Sequence, residues 1–229
     1  MKRFIGVLVL VLSFILCCVP MTALASDMNI GNFNIVEVRQ ENVKDPSKVS
    51  IIIQHDAFDL DRYTNRNWIG YTIYDNNQLI YKGGKSKKIT LNVSAGTHVF
   101  KVGAHYKNGK EKINNRSVVY TIPEASEWQS IIVKNGVVSL FWKNKIPKAN
   151  IKKVHIIRET PFRPGKPIID IFTVNVVNNN ASYDVSTSFG DRRPGSGINK
   201  YSIVLETMDG HYSLRSKEVT VNMKNGQCK

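Results

Sequence analysis

Cysteine is scarce in this chain. There are three in 229 residues, and two of them, Cys17 and Cys18, fall within the first 25. The remainder holds Cys228 alone, so it forms no internal disulfide, and this cysteine is expected as a free thiol in a frayed tail ahead of pairing with a second chain. Its domains rest on apolar cores, which about 100 residues each can build. An exported chain without disulfides fits a bacterial envelope better than an animal secretory route. Helical periodicity is missing too, since no long segment repeats its apolar residues at a spacing of 3.6. Catalytic signatures are also wanting. No Gly-x-Ser-x-Gly occurs, and Gly195-Ser196-Gly197 lacks that spacing. His55, His98, His105, His155 and His211 form no His-x-His or His-x-x-x-His pair, which points away from a clustered metal site and leaves them as expected exposed strand residues.

Acidic residues are few as well. Eighteen Asp and Glu stand against 32 Lys and Arg, a formal charge of +14. Lys2 and Arg3 are the only charges in the first 25 residues, so the rest carries +12. That balance favours anionic partners. Nucleic acid is not expected among them, because the chain reads as exported and has no nucleic-acid-binding motif.

Export is read from the first residues. Lys2 and Arg3 precede an uncharged apolar run from Phe4 to Val19, Pro20 breaks it, and Ala23-Leu24-Ala25 supplies small residues for cleavage before Ser26. This order is that of a secretory signal peptide over 1–25. An uncleaved membrane anchor is the second reading, though the run is short of the ~20 residues of a free-standing span. A lipid anchor on Cys17 or Cys18 ranks below both, because the large Leu16 precedes Cys17.

Beyond residue 25, alternation of period two recurs almost everywhere. Val49, Ile51 and Ile53 alternate with Ser50, Ile52 and Gln54, and Tyr71 and Ile73 run into the turn Asp75-Asn76-Asn77. Further short strands around Ile89–Val93, Val99–Ala104 and Val118–Ile122 end at Pro123. The scheme then restarts with Trp128, turns at Asn135-Gly136, and continues through Val138–Trp142, Val154–Arg158, Ile169–Val176, a short Tyr183–Val185 strand, Tyr201–Leu205 and Val219–Met223. Pro161–Pro167 reads as a loop or edge, and Ser188–Asn199 as a Gly-rich basic loop. Val49-Ser-Ile-Ile-Ile aligns with Val138-Ser-Leu-Phe-Trp, and Phe100-Lys-Val before Asn108-Gly109 aligns with Tyr201-Ser-Ile before Asp209-Gly210. The chain therefore reads as all-β, with a repeat of two tandem sandwiches of about seven strands over 26–124 and 125–229.

The second half resembles a fibronectin type III domain of the bacterial kind. The resemblance rests on Val138–Trp142, Lys153–Arg158, Tyr201–Leu205 with Asp209-Gly210 and Ser213, and Val219–Val221. The first half is similar more distantly, through Val93–Val102; Trp68 stands apart from the family's usual core tryptophan position. The resemblance implies immunoglobulin-like sandwiches in an adhesive or spacer role, with no reaction and no cofactor.

Candidate sites are then surface features. Lys82, Lys85, Lys87 and Lys88 form one basic cluster, and Lys143, Lys145, Lys148, Lys152 and Lys153 a second. Both are expected at strand ends as polyanion contacts. Arg163 with Lys166 and Arg192 with Arg193 are smaller groups. Tyr74 and Tyr81 are candidates for stacking a sugar. Asp56, Asp59, Asp61, Asn65 and Asn67 gather oxygens, but Arg62 and Arg66 interrupt them and no glycine allows a tight wrap, so a solvated loop is expected rather than a Ca²⁺ site. Glu159, Asp170, Asp184 and Asp191 show no pair set apart for acid–base chemistry. The expected function is a secreted, non-enzymatic binding or scaffolding module of the bacterial cell envelope, contacting an anionic envelope polymer or another extracellular protein, with membrane contact only through the leader. The second reading is an accessory subunit of an envelope assembly held by an uncleaved N-terminal segment.

Overall fold

Alternating β-branched and aromatic residues, punctuated by Asn and Gly, leave the chain little choice but short antiparallel strands. The computed structural model describes residues 33–55, 67–163, 165–179, 181, 183–224 and 227–228. The expected leader and most of the Asp/Asn-rich stretch, 56–66, lie outside them. Residues 33–55 and 67–229 form one unit.

The first half contains β1 (Phe33–Gln40), β2 (Lys48–His55), β3 (Trp68–Asp75), β4 (Gln78–Lys82), β5 (Lys88–Asn92), β6 (Gly96–Tyr106), β7 (Glu111–Ile113) and β8 (Val118–Ile122). The second contains β9 (Glu127–Lys134), β10 (Val137–Lys143), β11 (Ile151–Arg163), β12 (Lys166–Asn175), β13 (Ser188–Asp191), β14 (Ile198–Thr207), β15 (Val219–Asn222) and β16 (Gln227–Cys228). Among the described residues the only helical element is the 3-10 turn Lys148–Asn150. All strand pairs are antiparallel.

The same order recurs in both halves. The first, second and fifth strands make one sheet, β1-β2-β5 and β9-β10-β13. The other sheet runs β4-β3-β6-β7 and correspondingly β12-β11-β14-β15; the eighth strands differ, β8 pairing with β6 and β16 with β15. The aligned segments around Val49 and Val138 are thus the second strands, β2 and β10, and those around Phe100 and Tyr201 are the sixth, β6 and β14. Turn chemistry fixes the register. Asn76 and Asn77 close β3–β4 at φ 49° and 67°, and Asn135-Gly136 close β9–β10 at φ 51° and 76°. Both are pairs at positive φ, the requirement of a tight hairpin matching strand twist.

Each half buries its own alternate row. Val49, Ile51 and Ile53 of β2 are buried with Tyr71 and Ile73 of β3 and Phe100 and Val102 of β6. In the second half Val138, Leu140 and Trp142 of β10 pack with Val154, Ile156, Tyr201, Ile203, Leu205 and Val221.

Three expectations need correction. Tyr183–Val185 is a turn, not a strand, because the Asp184 carboxylate accepts the Ser186 N–H and hydroxyl at 2.9 and 2.7 Å and bends the chain. The strand starts later, as β13, inside the expected basic loop, where Phe189 pairs opposite Leu140. Cys228 was expected in a frayed tail, yet its backbone pairs with Val221.

Candidate functional site

The first lysine cluster occupies the connection from β4 to β5, which crosses from one sheet of the first half to the other. Its backbone is pinned at both ends. The Gly83 N–H donates to the Tyr71 carbonyl at 3.0 Å, Tyr71 N–H to the Gly84 carbonyl at 3.2 Å, and Ile53 N–H to the Lys87 carbonyl at 2.8 Å. His105 Nε2 lies 2.8 Å from the Gly83 carbonyl oxygen. This close approach requires glycine at Gly70 on β3, where a Cβ would collide with the Gly83 and Gly84 backbone.

The side chains on this pinned segment differ in their surroundings. Lys88 is bridged to Glu41 at 2.9 Å. Lys85 Nζ stands 4.7 Å from the centre of the Trp68 ring, a cation–π contact that holds the ammonium in place without cancelling its charge. Among the described residues no carboxylate lies in ion-pair range of Lys82, Lys85 or Lys87, and all three are exposed.

The second cluster is different. Lys145 pairs with Glu127 at 2.8 Å, Lys148 with Asp184 at 3.1 Å, and Lys152 and Lys153 share Glu206 at 3.1 and 3.3 Å. Lys143 is exposed and lies across the ladder from Glu127. Burial raises the Glu206 pKa, but hydrogen bonds from Lys152, His155 and Lys153 outweigh it and hold the carboxyl below its usual range. The hydrogen bond to Glu127 likewise raises the Lys145 pKa. Four of the five lysines in this cluster therefore face a carboxylate.

Tyr74 and Tyr81 are not brought side by side. Tyr81 pairs across the hairpin with Ile73, while Tyr74, the next residue, points to the other face and donates to Glu111 at 2.6 Å. Desolvation, and then that bond, push the Tyr74 phenol up to about 12. A stacking platform made of both rings is thereby corrected to two separate tyrosines on opposite faces.

The histidines are corrected likewise. His98, His105 and His155 are only 6%, 8% and 7% exposed. Polar partners make their burial tolerable. His98 Nδ1 lies 2.6 Å from Asp75 Oδ2 and Nε2 3.1 Å from the Ser94 carbonyl oxygen. His155 sits between Thr173 at 3.0 Å and Glu206 at 3.2 Å. Among the described residues no group of three or more His, Cys, Asp or Glu side chains is arranged to hold a metal.

The carboxylates considered for acid–base chemistry are each held by a cation. Asp170 and Asp191 share Arg158, at 2.6 and 2.7 Å, and Asp191 also accepts the Tyr201 hydroxyl at 2.8 Å. Glu159 is bound by Arg215 at 2.6 Å. These clamps join β11, β12, β13 and β14. Sequence reading missed the Trp68–Lys85 contact and the sharing of Glu206; the one available signal was Gly70 inside a strand, which marks a close backbone approach.

No protein-family model matches the chain, and no curated protein sequence does. Among solved structures, the fibronectin(III)-like modules of Clostridium thermocellum CbhA are similar at 11% identity, covering 83% of this chain and 93% of that one, with a TM-score of 0.31.

Proposed function

We propose that the protein is an exported, non-enzymatic binding module that holds anionic polymers of a bacterial cell envelope through Lys82, Lys85 and Lys87. The observation that carries this reading is the contrast between the two clusters. Lys82, Lys85 and Lys87 are exposed, on a pinned backbone and without carboxylate partners among the described residues, whereas most of the second cluster is internally compensated. An ammonium already paired gives up that pair to bind elsewhere, and an unpaired one does not. Lysine is a flexible point charge, so binding is tolerant of polymer stereochemistry. The charge of +12 beyond residue 25 adds long-range attraction.

The test is co-sedimentation with purified cell walls. K82Q/K85Q/K87Q should leave most of the protein in the supernatant at physiological salt, and K145Q/K148Q/K152Q should sediment nearly as the parent does. Equal retention of the parent and the first variant would overturn the reading.

A further inference from the structure

The outer end of the β11–β12 hairpin runs past its neighbours. The β14 ladder follows β11 only to Glu159, opposite Lys200, whereas β11 and β12 stay paired as far as Arg163 opposite Lys166. This end is apolar and cationic at once. Phe162 is 63% exposed and Ile168 48%. The Arg163 guanidinium lies 5.3 Å from the Phe162 ring centre. Arg163 and Lys166 stand directly across from each other, an arrangement of like charges that repels unless an anion comes between. Among the described residues no carboxylate is in ion-pair range of either.

The surroundings add charge of the same sign. The β13–β14 connection lies against this hairpin: the Arg193 carbonyl accepts from Arg158 at 2.7 Å, and Asn199 links Thr160 to the Gly195 carbonyl at 2.9 and 2.6 Å. That connection brings Arg192 and Arg193. A shallow groove opens here between Glu159, Phe162, Arg163, Pro167 and Lys200. Its one carboxylate, Glu159, is bound by Arg215. Lys200 is held by Glu218 at 3.3 Å.

We propose that this hairpin end seats on an anionic lipid surface, with Phe162 and Ile168 entering the boundary between headgroups and acyl chains while Arg163, Lys166, Arg192 and Arg193 meet lipid phosphates. Charge complementarity selects an anionic surface, and the exposed side chains select hydrocarbon over a polymer. A sugar stacks on a ring, but it offers a branched aliphatic side chain little, whereas acyl chains accommodate both. The site belongs to the second half and does not rest on the β4–β5 lysines. It departs from the expectation that membrane contact is confined to the leader.

The test places tryptophan at the hairpin end of the full chain as F162W, with V177W, exposed past the other end of β12, as the positional control. Each is mixed with vesicles of phosphatidylglycerol and phosphatidylcholine, with phosphatidylcholine alone, and with soluble polyphosphate. F162W emission should shift to the blue and be quenched by brominated acyl chains in the anionic vesicles, and V177W should show neither change. Adding R163Q/K166Q should raise the lipid needed for half the change about 30-fold, the factor expected of two interfacial charges. An unmoved F162W, or an equal change in V177W, overturns the proposal. A shift with polyphosphate and with no vesicle assigns the hairpin to an anionic polymer and overturns it as well.

Discussion

Gln40 grips the backbone of Tyr212 on both sides: its Nε2 donates to the Tyr212 carbonyl at 2.7 Å, and its Oε1 accepts the Tyr212 N–H at 2.7 Å. The two residues are 172 positions apart, one ending β1 and the other following β14. Gln40 also donates to the Pro46 carbonyl at 2.7 Å and accepts the Tyr120 hydroxyl at 3.2 Å. The Tyr120 ring packs, tilted, against His211 at 4.4 Å between centres, and the Leu214 N–H reaches the Pro123 carbonyl at 2.9 Å. One amide thus satisfies polar groups from both halves. Q40A removes all four bonds and should cost about 2–4 kcal/mol, since buried partners are left unpaired. Urea unfolding should be one transition in the parent and two in Q40A; an unchanged single transition would show that Gln40 does not couple the halves.

Trp142 is the largest fully buried side chain. It lies edge-on to Trp128 at 6.4 Å, within the row of β10 that faces the second core. W142A leaves a cavity there and should destabilise by about 3–5 kcal/mol in chemical denaturation. A near-neutral result would contradict the assigned register of β10.

His155 gives the protein an acid sensitivity with a defined window. Burial lowers its pKa, against the opposing pull of Glu206. A depressed histidine contributes stability that is full above its ordinary value of 6.5 and is lost as pH falls toward its folded value, because the unfolded chain takes up the proton first. Glu206, also depressed, acts lower, losing its contribution below 4.5. Lys153, Thr173 and Tyr212 complete the surroundings of His155. Between pH 6.5 and 4.5 the urea midpoint of the parent should fall more than that of H155Q. Parallel curves would mean that His155 does not carry the effect.

Gly70 links the fold to the proposed site. G70A drives a methyl group into the backbone that presents Lys82 to Lys87, and no flexible side chain can yield there. The variant should be less stable and also bind anionic polymer more weakly. Undiminished binding would show that the lysines need no fixed backbone.

The strands were legible because the chemistry that makes them is local. Val49–Ile53 and Val138–Trp142 alternate with period two, and Asn-Gly and Asn-Asn turns announce positive φ. The repeat was legible for the same reason, since aligned strands bury aligned rows. What escaped was pairing at a distance. Nothing near Lys152 in sequence announces Glu206, and nothing near Lys85 announces Trp68, so two clusters alike in composition separate only when the sheets bring acids and rings to them. Tyr74 and Tyr81 failed as a platform through one extra residue in β4, a bulge that composition does not reveal. Buried histidines likewise depend on partners such as Asp75, 23 positions from His98.

The most direct test of the central claim is the salt dependence of binding to a soluble anionic polymer such as polyphosphate. Affinity of the parent should fall steeply as salt rises, because exposed charges are screened within ~8 Å at physiological ionic strength. K82Q/K85Q/K87Q should bind more weakly at low salt and show a shallower slope, while K145Q/K148Q/K152Q should keep the parent's slope. Equal slopes for the parent and K82Q/K85Q/K87Q, with the loss appearing in K145Q/K148Q/K152Q instead, would contradict the assignment of binding to the β4–β5 connection.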